Sequence, residues 1–180
     1  MKRPQLGLQP DQVLLVEHDP LWKKEYEQIS SELLQQLPSF TADRIQHIGS
    51  TAITGLQAKP IIDIALGVEK QESQWSVYDQ PLRAVGFYRL RVQRQQEVVF
   101  ARFADAEFRV KTHFIHMIPY GSEHWLDMLF FRDYMNVHEE ARQQYAQLKM
   151  DFTTRQQHGI AEYTEYKEQF IQHIFSLRKG

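Results

Sequence analysis

The chain has 180 residues, 42% of them hydrophobic, with 21 Lys or Arg against 23 Asp or Glu and no cysteine. One domain spanning 1–180 is expected from that length, and the near-balance of charge excludes a global basic field for nucleic acid or an anionic membrane. Disulfides, thiol nucleophiles and Cys-ligated zinc are excluded; with no apolar N-terminal leader and no stretch near the roughly 18 apolar residues of a membrane span, the expectation is a soluble cytoplasmic protein.

Val13-Leu14-Leu15-Val16 is an apolar run of strand length, and Asp19-Pro20 then supplies a cap and first turn for a helix from Leu21 to Leu37, ended by Pro38 and Ser39. Arg44 to Ile48 predicts a short strand. Its alternation puts Ile45 and His47 on one face and Gln46 and Ile48 on the other, which leaves the buried face unassigned. Ile61 to Val68 is nearly continuous in apolar residues, as in a central strand covered on both faces. Asp79-Gln80-Pro81 opens a short helix closed by Gly86. Three β-rich runs follow, Phe87 to Val92, Glu97 to Phe103 and Phe108 to Ile118. Ser122 then caps a helix carrying aromatic residues from Trp125 to Tyr134, which read as core, and amphipathic helices over His138 to Thr153 and Ile160 to Leu177 complete the chain.

The chemistry concentrates between His47 and Ile64. A Gly49-Ser50 pair opening a short helix offers backbone N–H groups and a hydroxyl to a phosphate, although Ser50 also reads as a plain N-cap. Asp63 is flanked by Ile61, Ile62 and Ile64, where a carboxylate is costly unless a cation or hydrogen-bond donors answer it. Lys59 or a later Arg could serve as that partner, and Lys59 could equally touch a phosphate or stay solvated.

In one series, His47-Ile48-Gly49-Ser50-Thr51-Ala52, Gly55-Leu56 and Ala58-Lys59-Pro60-Ile61-Ile62-Asp63-Ile64 resemble the GrpB family of the nucleotidyltransferase superfamily. Thr112-His113-Phe114-Ile115-His116 looks like that family's Thr-His-x-x-His strand. Leu129-Phe130-Phe131-Arg132-Asp133-Tyr134 and Tyr163-Thr164-Glu165-Tyr166-Lys167 look like its helical signatures, so the resemblance covers roughly residues 12 to 175. It implies an α/β (α+β) fold, a nucleotidyltransferase-like mixed β-sheet flanked by helices with further helices at the C-terminus. It also implies a nucleotide or another phosphorylated small molecule bound through Gly49, Ser50, Lys59 and Arg132, a divalent cation, Mg²⁺ or Mn²⁺, on the catalytic acid Asp63, and nucleotidyl transfer to an acceptor. The rival it implies is a non-catalytic binding or protein-interaction module, because similar domains occur fused to dephospho-coenzyme A kinase.

In that superfamily two acids one residue apart hold two Mg²⁺ ions. Here Ala65 stands where the second acid would share the strand face of Asp63. Glu69 lies on that face too, but six strand residues span about 20 Å. Glu97 is a further carboxylate, which nothing in the spacing singles out. His113 and His116 are three apart and so face opposite ways on a strand; His116, with Asp63 and His47, is the chosen cation cluster, against the plainer reading of a hydrogen-bonded core histidine. Arg132 and Asp133, adjacent on a helix, read as solvated unless Arg132 clamps an anion. Tyr163 and Lys167 share one helix face, where packing and solvation are the default.

Overall fold

Among the described residues, five strands form one mixed sheet. The computed structural model describes residues 4–10, 12, 14–70, 72–92, 94–154 and 160–179. In chain order the elements are α1 (Leu21–Gln36), β1 (Ile45–Ile48), β2 (Ile62–Val68), α2 (Asp79–Ala84), β3 (Phe87–Arg89), β4 (Val98–Phe103), β5 (Lys111–Pro119), α3 (Glu123–Val137), α4 (Glu139–Thr154) and α5 (Ile160–Leu177). Among the described residues the sheet order is β1-β2-β5-β4-β3, with the β2–β5 pair parallel and β1–β2, β3–β4 and β4–β5 antiparallel.

Strand alternation divides the sheet into two different faces. Ile62, Ile64, Leu66 and Val68 of β2, with Ile115 and Met117 of β5, point to the back. There they pack on Trp22, Ile29 and Leu33 of α1 and Leu82 of α2. α1 starts where Asp19 allows it to, since its Oδ1 accepts from Leu21 N–H at 2.9 Å. Asp63 and Ala65 point to the front, where Ile48, Ala65, Ile118 and Trp125 form a smaller core under α3. The Ser122 hydroxyl caps that helix by accepting from Trp125 N–H at 3.2 Å. A third cluster, Ile53, Leu56, Phe131, Met135, Tyr145 and Ile174, joins the segment after β1 to α3, α4 and α5.

Three strand expectations change. Residues 14–16 form no strand. Val16 makes an isolated bridge to Ala58, which itself lies outside the five strands, and Leu14 is exposed, so among the described residues this segment joins no ladder; Val13 lies outside the described residues. The run from Phe87 stops at Arg89. The strand expected from Phe108 starts at Lys111, since Asp105 accepts from Arg109 N–H at 3.0 Å and Val110 N–H at 2.5 Å and holds a turn with Phe108 at φ 57°. Among the described residues, no helix is long and apolar enough to cross a membrane.

Candidate functional site

The β1–β2 register sets Ile48 opposite Asp63, so the residue after Ile48 must pass directly over that carboxylate. It is Gly49, at φ 69° and ψ −172°, a conformation nearly restricted to glycine. A Cβ there would lie 2.6 Å from Asp63 Oδ2. Ser50–Ala52 then form one 3-10 turn, with Ala52 N–H donating to Gly49 O and Ile53 N–H to Ser50 O, each at 3.2 Å. Asn136 of α3 braces this turn: its Nδ2 donates to Ala52 O at 3.0 Å and its Oδ1 accepts from Thr54 N–H at 3.0 Å. The N-cap position of this turn is held by Gly49, and Ser50 is its first residue.

The Ser50 hydroxyl instead faces Lys149 of α4, whose Nζ is 3.5 Å away and donates to Gln57 O. Lys149 is fully buried and lies 4.8 Å from the centre of the Tyr145 ring. Burial, and then the charge of Lys167, lower its pKa to about 7. The same two influences lower Lys59 to about 8, with Asp63 acting the other way. Sequence reasoning passed over Lys149. The signal available was its place in the four-residue series Ala141, Tyr145, Lys149, which puts a lysine in the buried stripe of α4.

On the front face, Asp63 Oδ1 lies 3.3 Å from His116 Nε2, and His116 Nδ1 lies 2.6 Å from Glu97 Oε1. Arg94 Nη1 donates to both oxygens of Glu97 at 3.1 and 3.2 Å, and His124 Nε2 is 3.7 Å from Glu97 Oε2. Burial works against charge on His116, but its hydrogen bonds to Asp63 and Glu97 and their charges outweigh it and raise the pKa to about 9. Burial also opposes charge on Glu97, yet His116, His124 and Arg94 hold its carboxyl well below the usual range. His116 is paired in register with Ala65. Its imidazole therefore emerges beside the position where a second acid would stand. The 3.3 Å between Asp63 Oδ1 and His116 Nε2 is a separation that two ligands of one small cation can keep, given metal–donor distances of about 2.1 Å. Among the described residues, no three His, Cys, Asp or Glu side chains converge as a ligand set.

The other candidates are dispersed. His47 points to the back face, stacked on Tyr26 with ring centres 4.8 Å apart and Nε2 3.0 Å from Thr51 Oγ1. Burial lowers its pKa to about 4, and the structure does not bring it into the Asp63–His116 pair. His113 is also at the back. Thr112 donates its hydroxyl to Arg102 O at 3.1 Å and so accepts from His113 Nδ1 at 2.9 Å, leaving Nε2 3.6 Å from Glu25 Oε1. Burial lowers this histidine to about 3. Glu69 pairs with Arg44 at 2.9 Å on the surface. Arg132 does meet its neighbour: Nε donates to Asp133 Oδ1 at 2.7 Å because the long arginine side chain folds back, while Nη1 donates to Gln46 Oε1 at 2.9 Å and His47 O at 3.0 Å. Arg132 thus ties α3 to β1. The side chain of Tyr163 lies outside the described residues.

Known proteins resemble this chain in family, in sequence and in fold. The family profile described as GrpB protein matches residues 12–177. The glutamate-rich protein GrpB of Alkalihalophilus pseudofirmus is 36% identical over 172 residues, covering 95% of this chain and 98% of that protein. Among solved structures, GrpB from Enterococcus faecalis superposes with a TM-score of 0.77 at 23% identity, over 91% of this chain and 95% of that one. The Cid1 poly(U) polymerase with Mg and 3′-dATP bound gives a TM-score of 0.54 at 14% identity, over 79% of this chain and 44% of that one. These structural likenesses establish a nucleotidyltransferase-like fold.

Proposed function

The chain belongs to the GrpB family, and on that premise we propose that it binds a nucleotide or another phosphorylated small molecule at the Gly49–Ser50 turn. The observation that supports this most is the placement of Lys149 on Ser50, with Lys167 acting on both Lys149 and Lys59. An anion entering beside the buried Lys149 ammonium favours its charged form. A phosphate does this at the turn whose hydroxyl already faces Lys149. Gly49 lets the turn approach Asp63 closely enough that a phosphate on Ser50 and a cation on Asp63 belong to one site.

Asp63 and His116 are the residues that would hold a divalent cation, Mg²⁺ or Mn²⁺. Such an ion neutralises phosphate oxygens when bound. The fold is shared with a polymerase crystallised with Mg and 3′-dATP, which supports a nucleotide as the ligand class. Ala65 in place of a second acid favours binding over transfer by the two-metal route. Calorimetric titration with ATP, GTP, CTP and UTP in the presence of Mn²⁺ tests the reading. The wild type is expected to bind at least one of them, and Ser50→Ala and Lys149→Met to bind it at least tenfold more weakly. No binding by the wild type, or equal binding by a folded Lys149→Met protein, rejects it.

A further inference from the structure

We propose that Asp63 and His116 form a mixed oxygen–nitrogen cation seat that prefers Mn²⁺ or Co²⁺ to Mg²⁺, and that Glu97 is the positioning residue that aims His116 into it. This deepens the function proposed above and rests on it for the phosphate oxygens that fill the remaining coordination positions.

The two hydrogen bonds of His116 are unequal. Nδ1 to Glu97 at 2.6 Å is short, as charge-assisted bonds are, whereas Nε2 to Asp63 at 3.3 Å is longer than such a bond usually is. Glu97 therefore fixes the ring through Nδ1–H, and Nε2 is the nitrogen turned toward the acid. A carboxylate on one imidazole nitrogen with a metal on the other is the usual means of orienting a histidine ligand. Glu97 is itself held from the far side by Arg94 and approached by His124, so it is a fixed support rather than a third ligand. The bound ion replaces the hydrogen on Nε2, which leaves as a proton to solvent.

Ligand chemistry then sets the choice of ion. Mg²⁺ takes oxygen donors and near-ideal octahedral geometry, while first-row transition-metal ions, Mn²⁺ and more strongly Co²⁺, accept an imidazole nitrogen more readily than Mg²⁺ does. A chain with a second acid at position 65 would offer oxygens alone; this chain offers Ala65, and beside it His116.

Pulsed EPR of Mn²⁺ bound to the full chain reads the seat directly. A directly bonded ¹⁴N coupling is expected in the wild type and its loss in His116→Asn. Competition titrations should place Mn²⁺ and Co²⁺ at least tenfold tighter than Mg²⁺, and Glu97→Gln should weaken Mn²⁺ at least tenfold. If Glu97→Gln does not fold, the wild-type coupling and the ion ranking decide alone. Absence of the nitrogen coupling, Mg²⁺ binding as tightly as Mn²⁺, or a folded Glu97→Gln protein that binds Mn²⁺ like the wild type overturns the proposal. Running each titration with and without tripolyphosphate separates the two readings. Nitrogen-coupled Mn²⁺ that ignores tripolyphosphate keeps this seat and removes the phosphate site, and tripolyphosphate bound in EDTA without any nitrogen-coupled Mn²⁺ does the reverse.

Discussion

On the back of the sheet, His47 and His113 lie under α1 among isoleucine, leucine and aromatic side chains, and burial keeps both neutral. On the front, His116 lies three residues from His113 on the same strand and is held charged between Asp63 and Glu97. Desolvation acts against the charge of all three rings, so the difference lies in what meets their nitrogens. A hydroxyl meets His47, a hydroxyl and, at 3.6 Å, the Glu25 carboxylate meet His113, and two carboxylates at 2.6 and 3.3 Å meet His116. The back face stabilises the fold by burying apolar area. The front face places a carboxylate, an imidazole and, through Gly49, a Gly-Ser turn on strands that the back face holds in place.

The largest effect belongs to the back face. Ile64→Ala should cost about 3 kcal/mol, since its side chain is fully buried between β2 and α1. Urea denaturation measures this, and a loss below about 1 kcal/mol would break the division of labour. The second effect separates the histidines by pH. His116 has a folded pKa raised to about 9, so its contribution, on the order of 3 kcal/mol, is fully present below about 6.5 and lost as pH rises through about 9. Replacing it by Gln should flatten the alkaline limb of the stability curve. His47 and His113 have folded pKa values lowered to about 4 and about 3, so their contribution is present above about 6.5 and lost as pH falls through those values. His47→Gln should therefore flatten the acid limb and leave the alkaline one; the opposite pattern would exchange the roles of the two faces.

Gly49→Ala comes next, at about 2 kcal/mol from backbone strain, with a further loss of ligand affinity because the new methyl meets Asp63. A melt within 1 °C of the wild type would show that the turn does not rest on the carboxylate. The smallest effect is Glu69→Gln, below about 0.5 kcal/mol and without change in phosphate affinity, because Glu69 pairs with Arg44 on the surface. A tenfold affinity loss in that variant would extend the site along β2.

Parts of this were legible in the chain because their causes are local. The 3.6-residue periodicity of Ile160 to Leu177 is a property of that segment alone, and α5 has those limits. Ser122 could be read as a cap because it satisfies N–H groups a few residues away. The family resemblance named Gly49, Ser50 and Asp63 as site residues, whereas the closeness of Gly49 to Asp63 comes from the antiparallel register of β1 and β2. Glu97 was not legible. It meets His116 across 19 residues of sequence, and His116 meets Asp63 across 53, by way of β4–β5 and β5–β2 pairings that no local pattern specifies. Lys149, 99 residues from Ser50, depends on how α4 docks.

The sequence by itself determined which groups are present: a lone acid among the isoleucines of β2, a Gly-Ser pair before it, and two histidines three residues apart on one strand, which puts them on opposite faces. Tertiary structure alone decided which histidine is charged, which carboxylate supports it, and that a lysine from α4 reaches the turn. The physical reason is that residue identity fixes a side chain's intrinsic chemistry, whereas its protonation and partners depend on desolvation and on charges brought within a few ångströms by the fold.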